Sequence, residues 1–91
     1  MSVTVRIPTQ LRNLSGNESE VTVEASTVAE ALKALEAAHP GFGERLFDDS
    51  GELRRFVNVF VADEDIRFLD GVGTAVTEGQ TVSIVPAVAG G

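Results

Sequence analysis

One stretch of the chain repeats its apolar residues at helical spacing, while the segments around it repeat them in twos. Val28, Ala31, Leu32, Leu35 and Ala38 recur about every 3.6 residues, and Glu30, Lys33 and Glu36 take the opposite side, facing water. Thr27 is a good N-cap, and Glu30 three residues later completes a capping box. His39-Pro40-Gly41 ends the helix, because proline lacks a donor and glycine permits a left-handed exit. His39 itself reads as a C-terminal cap or surface residue. A single helix can cover only one face of a sheet, so this pattern predicts an α+β domain whose other sheet face is open.

The strands follow from alternation. Val3, Val5 and Ile7 alternate with Thr4 and Arg6 and stop at Pro8; Val21 and Val23 alternate with Thr22 and Glu24. The turn formers Ser15-Gly16-Asn17-Glu18-Ser19 between them predict a β-hairpin. After the helix, Phe42, Leu46 and Phe47 fall in an irregular or single-turn segment that ends at Asp48-Asp49-Ser50-Gly51. Residues 53–61 form the strongest strand, residues 62–65 a tight polar connection, and residues 66–69 a short strand. Residues 80–85 form the last strand, with Val82 and Ile84 on one face. Running the second strand through the helix to the rest places the last strand beside the first. That is the β-grasp arrangement of ubiquitin-like proteins, a mixed sheet with one main helix on one face.

Length and composition narrow the chemistry. The 91 residues suffice for one domain, assigned to residues 1–86, with residues 87–91 as a flexible tail. Seven basic and fourteen acidic side chains leave a net charge of −7, which argues against nucleic acid and against anionic membranes as partners. With no cysteine, the chain lacks thiolate metal sites and a cysteine nucleophile, and its single histidine leaves no room for a His-rich metal cluster. No catalytic and no metal-binding residue is assigned. Asp48-Asp49 and Asp63-Glu64-Asp65 read as solvated turns, since neither has EF-hand spacing. Gly71-Val72-Gly73 reads as a turn, and Arg54-Arg55 as surface charge. No apolar run approaches the roughly 20 residues of a membrane span, and the alternating N-terminus lacks a signal-peptide block, so a cytoplasmic location is expected.

Two features point to function. In the strongest strand, Val57, Val59 and Val61 form one row and Phe56, Asn58 and Phe60 the other. The valine row is assigned to the core because a buried Asn58 would need partners. Phe56 and Phe60 are then exposed as a partner-docking patch on the open face, unless loops cover them or the two faces are inverted. The second feature is the ending Val85-Pro86-Ala87-Val88-Ala89-Gly90-Gly91. Pro86 cannot donate to a ladder and is expected to lead the chain away from the sheet. Beyond it lie small side chains and a diglycine that can thread a narrow channel. Two glycines alone would suit a frayed terminus; joined to the fold and the proline exit, they suit a probe carrying a carboxylate.

The terminal Pro-Ala-Val-Ala-Gly-Gly resembles the ending of the MoaD/ThiS family of ubiquitin-like sulfur carriers, and the resemblance spans essentially the whole chain. Arg6-Ile7-Pro8-Thr9, Leu11-Arg12, Arg55-Phe56-Val57-Asn58 and Asp63-Glu64-Asp65-Ile66-Arg67-Phe68 most resemble the branch serving the actinobacterial cysteine-synthase-M route. The resemblance implies that the Gly91 carboxylate is adenylated with ATP by a ThiF/MoeB-type enzyme and converted to a thiocarboxylate. Gly90, Ala89 and Val88 would thread into partner sites. The acceptor would be a cysteine synthase using pyridoxal phosphate, with a Mec-type zinc metallopeptidase releasing the product. ATP, pyridoxal phosphate and zinc would belong to those partners, and the chain would be their substrate. Related roles are the small subunit of molybdopterin synthase, the sulfur donor for thiazole or specialised metabolites, and a ubiquitin-like protein modifier.

Overall fold

The expected hairpin forms. Strands β1 (Ser2–Arg6) and β2 (Glu20–Glu24) run antiparallel, with Val3 opposite Val23 and Val5 opposite Val21. The computed structural model describes residues 1–54 and 57–86. Its other elements are helices α1 (Val28–Ala38) and α2 (Phe42–Leu46) and strands β3 (Val57–Val61), β4 (Glu64–Asp65) and β5 (Thr81–Pro86). β5 lies parallel to β1 and antiparallel to β3, giving the sheet order β2-β1-β5-β3-β4. The last strand therefore sits beside the first, as the β-grasp arrangement requires.

The segment between β1 and β2 carries more structure than its composition announces. Residues Thr9–Ser15 wind into a 3-10 turn with Leu11 buried. Ser15 is buried as well, and its hydroxyl lies 3.1 Å from the Arg12 carbonyl and 2.7 Å from that of Glu18. A polar side chain is tolerated there because its hydrogen-bonding capacity is used.

The cap of α1 is a variant of the expected box. Thr27 Oγ1 accepts from the Glu30 amide at 3.2 Å, but Glu30 Oε1 accepts from the amide and hydroxyl of Ser26, at 2.8 and 2.7 Å. The Ser26 hydroxyl, aided by its amide, holds the Glu30 carboxyl below its ordinary range. Val28, Ala31, Leu32 and Leu35 are buried against the sheet, whereas Ala38 is exposed. The stripe ends a turn early because the core beyond Leu35 is closed by Phe42 and Leu46, both fully buried.

Glu36, expected in water, is half-buried. Its carboxylate accepts from the amides of Gly41 and Gly43, at 3.0 and 2.6 Å, which satisfies donors at the start of α2. Gly41 has φ +116°, and a Cβ on Gly43 would stand 2.7 Å from Glu36 Oε1. Gly41 is thus required by its left-handed backbone, and a side chain at Gly43 would displace the Glu36 carboxylate from the corner.

Two strand boundaries shift. Residues 53 and 54 pair with the chain at the end of α2 and lie outside β3: Leu53 bridges Phe47 and the Arg54 amide donates to the Leu46 carbonyl. The short strand expected over residues 66–69 lies instead at Glu64–Asp65, entered through Ala62 and Asp63 at φ +51° and +69°. Two left-handed residues make the tight turn that matches strand twist. The following residues, Ile66–Phe68, form a 3-10 turn because Asp65 caps the Arg67 amide at 2.8 Å and Ile66 is drawn into the core.

Candidate functional site

Among the described residues, no α-helix covers the second face of the sheet. Val57, Val59 and Val61 are buried under the helices, so the valine row is the core row, and Asn58 and Phe60 lie half-buried on the other face. Cross-strand register builds one row of that face from Glu20, Arg6, Ser83, Phe60 and Asp65, each beside the next on adjacent strands. Neighbours in such a row are close enough for their side chains to interact.

Beside this row runs an open groove of about 600 Å³, whose walls include Arg6, Pro8, Arg12, Glu20, Phe60 and Val85. The Thr9–Ser15 turn makes one wall. It is fixed there because Arg12 Nε donates to the Ile7 carbonyl at 3.1 Å. Phe60 stands in the sheet wall, and Val85 is 45% exposed immediately before Pro86. The groove therefore extends to the end of β5. Pro86 itself is still in register opposite Val57, so the ladder runs through it rather than stopping short of it. Its missing donor is tolerated at the last position of the strand.

Phe60 thus lies half-buried in the groove wall. The sequence-based candidates Phe56, Val88, Ala89, Gly90 and Gly91 lie outside the described residues, as does Arg55. The Arg12 wall was missed by sequence reasoning; the signal was Arg12 between Leu11 and Leu14, a charged residue inside an apolar spacing.

The acidic clusters serve local structure. Asp48 Oδ1 accepts from the Ser50 amide and hydroxyl at 2.9 and 2.6 Å and from the Glu52 amide at 3.1 Å. The Ser50 hydroxyl holds its carboxyl below the ordinary range. At the far edge of the sheet, Glu24 is held low by the Ser2 hydroxyl and by the N-terminal ammonium 3.5 Å away. Among the described residues, no group of three or more His, Asp or Glu side chains is placed to hold a metal ion. None of their helices is long and apolar enough to cross a membrane.

With this geometry in place, comparison with known proteins supplies the family. The ThiS family's sequence profile matches residues 5–91. The chain belongs to the ThiS family. It is 48% identical to the sulfur carrier protein CysO of Mycobacterium tuberculosis over 93 aligned residues that cover 100% of both chains. A chain in the crystal structure of the Amycolatopsis orientalis BexX/CysO complex superposes with a TM-score of 0.91 at 46% identity, covering 98% of this chain and 99% of that one. Small archaeal modifier protein 1 of Haloferax volcanii, another ubiquitin-like relative, superposes with a TM-score of 0.86 at 32% identity over 100% of both chains. The ThiS-family likeness thus covers the fold, and the profile runs through residue 91.

Proposed function

We propose that this chain is a sulfur carrier that works through the carboxylate of Gly91. A carboxylate is a poor electrophile, so a ThiF/MoeB-type enzyme joins it to AMP from ATP, releasing pyrophosphate. Sulfide then displaces AMP at the acyl carbon, leaving a thiocarboxylate. Gly90 gives the backbone clearance to approach the nucleotide, and Ala89 and Val88 are narrow enough to follow it into a partner's channel. Phe60, in the groove wall at the root of this segment, docks the partner body.

The observation that carries this reading is the end-to-end match. The family profile extends to residue 91, and the alignment with the mycobacterial sulfur carrier leaves no part of either chain uncovered. The acceptor is proposed to be a cysteine synthase using pyridoxal phosphate, and a Mec-type metallopeptidase frees the product; neither cofactor resides on this chain. Its work is in the cytoplasm, where ATP is available to the activating enzyme.

Incubation of the chain with ATP, sulfide and a ThiF/MoeB-type enzyme, followed by intact mass spectrometry, tests the reading. The expected gain equals exchange of one oxygen for one sulfur. No gain with an enzyme active on its own carrier, or an equal gain after deletion of Gly91, would contradict it. A second reading is favoured by one relative: small archaeal modifier protein 3 of Haloferax volcanii is 42% identical over 72% of this chain. If Gly91 instead forms amides with lysines, ladders of larger conjugates will form on target proteins.

A further inference from the structure

Phe68 is 82% exposed, an unusual position for a phenylalanine whose backbone is tightly held. The 3-10 turn that carries it is pinned on both sides. Ile66 is buried in the core, Asp65 Oδ1 accepts from the Arg67 amide, and the Leu69 amide donates to the Ile66 carbonyl at 3.0 Å. On the following side, the Asp70 amide donates to Thr74 Oγ1 at 3.0 Å. With Ile66 committed to the core and Asp65 capping the turn, the ring two residues on is held out into water. Leu69 beside it is 42% exposed, so two adjacent large apolar side chains face solvent together.

The turn is also tied to the strand end that leads to the tail. Arg67 Nη2 donates to the Val57 carbonyl at 3.3 Å, and Val57 is the residue registered opposite Pro86. The apolar pair lies outside the groove, whose walls include Phe60, Arg12 and Asp63 but neither Phe68 nor Leu69. Around the pair the chain carries Glu64, Asp65 and Asp70 against one cation, Arg67, whose guanidinium donates to the Val57 carbonyl, so the setting is net acidic. An aromatic anchor with an acidic collar is complementary to an apolar pocket rimmed by lysine or arginine.

We propose that Phe68 and Leu69 form a second docking anchor, distinct from the Phe60 groove, that seats the carrier in a basic-rimmed apolar pocket of its ATP-using activating enzyme. The anchor rests on the sulfur-carrier reading for the identity of that partner. It fixes the body of the domain beside the root of the tail, which limits how far Gly91 must search for the nucleotide.

Pyrophosphate release by the activating enzyme, measured against concentration of the full-length chain, tests this. Phe68→Ala is expected to raise KM about tenfold while kcat stays within about twofold, the pattern of a lost anchor remote from the chemistry. Phe68→Leu, which keeps an apolar side chain, recovers most of the loss. Asp70→Lys raises KM severalfold at low salt, and the difference shrinks as salt screens the collar. Because Phe68 is exposed, its alanine variant melts with the parent, so the kinetic change does not come from unfolding. An unchanged KM for Phe68→Ala, or a fall in kcat alone, overturns the anchor. A fall in KM for Asp70→Lys overturns the basic rim. If the unmodified chain releases no pyrophosphate at all, the sulfur-carrier reading fails with it, a result distinct from failure of the variant alone.

Discussion

The two faces of the sheet are made by the same strands yet do opposite work. On the covered face, Val3, Val5, Val59, Val82 and Ile84 are all but sealed from water beneath α1 and α2. On the open face, the alternate residues Thr4, Asn58, Phe60 and Ser83 are only half-buried, and Arg6 and Val85 are exposed. Burying apolar area stabilises by about 25 cal/mol per Å². Most of this gain is confined to one side, so the other side is free to meet partners. The fold separates the residues that hold it together from those available for recognition, one position apart along each strand.

The sharpest way to break this contrast is to place a charge at adjacent positions of β3. Val59→Asp puts a carboxylate into the core and is expected to remove several kcal/mol, enough to leave the chain largely unfolded by circular dichroism. Asn58→Asp, one residue away on the open face, is expected to stay within about 0.5 kcal/mol of the parent. Equal damage at both positions would contradict the two-face account.

The helical layer can be loosened more gently. Glu36→Ala removes the acceptor for the Gly41 and Gly43 amides and is expected to cost about 2 kcal/mol of stability, read as a lower urea midpoint. Thr27→Ala removes the N-cap of α1 and is expected to lose about 1 kcal/mol. At the sheet edge, Ala62→Asn eases a left-handed backbone at the β3–β4 turn and is expected to stabilise by about 0.5 kcal/mol.

Acid titration gives the smallest signal. Glu24, Glu30 and Asp48 are held below ordinary values of 4.5, 4.5 and 3.8, each chiefly by a serine hydroxyl. Below those values the unfolded chain binds protons more readily than the folded one. Their contribution is therefore complete above pH 4.5 and fades as pH falls through the lower folded-state values. Ser26→Ala should flatten this acid limb by removing the principal partner of Glu30.

Much of this architecture is legible in the sequence because alternation and helical spacing report which face is buried. Asn58 within a valine-rich strand correctly assigns the two rows of β3. Local hydrogen-bond competition is less legible. Glu36 looks like a surface residue by helical phase, and only the chain's return at Gly41 and Gly43 brings amides to it. Ile66 continues an apolar run that suits a strand, until the Asp65 cap and the pull of the core bend it into a 3-10 turn. The groove is half legible: Phe60 can be placed by alternation, while the Arg12 wall depends on a turn without simple periodicity. The end-to-end family match carries the reading of the tail, because a run of small residues and glycines has no periodicity to interpret.

The covered face builds the fold, and the proposed reaction takes place on the main-chain terminus. Fragment-ion mass spectrometry of the enzyme-loaded chain tests it most directly by locating the added sulfur. The account predicts that every fragment containing Gly91 carries the oxygen-to-sulfur exchange and that no fragment lacking Gly91 does. The same oxygen-to-sulfur exchange on any fragment drawn from residues 1–86 would contradict it.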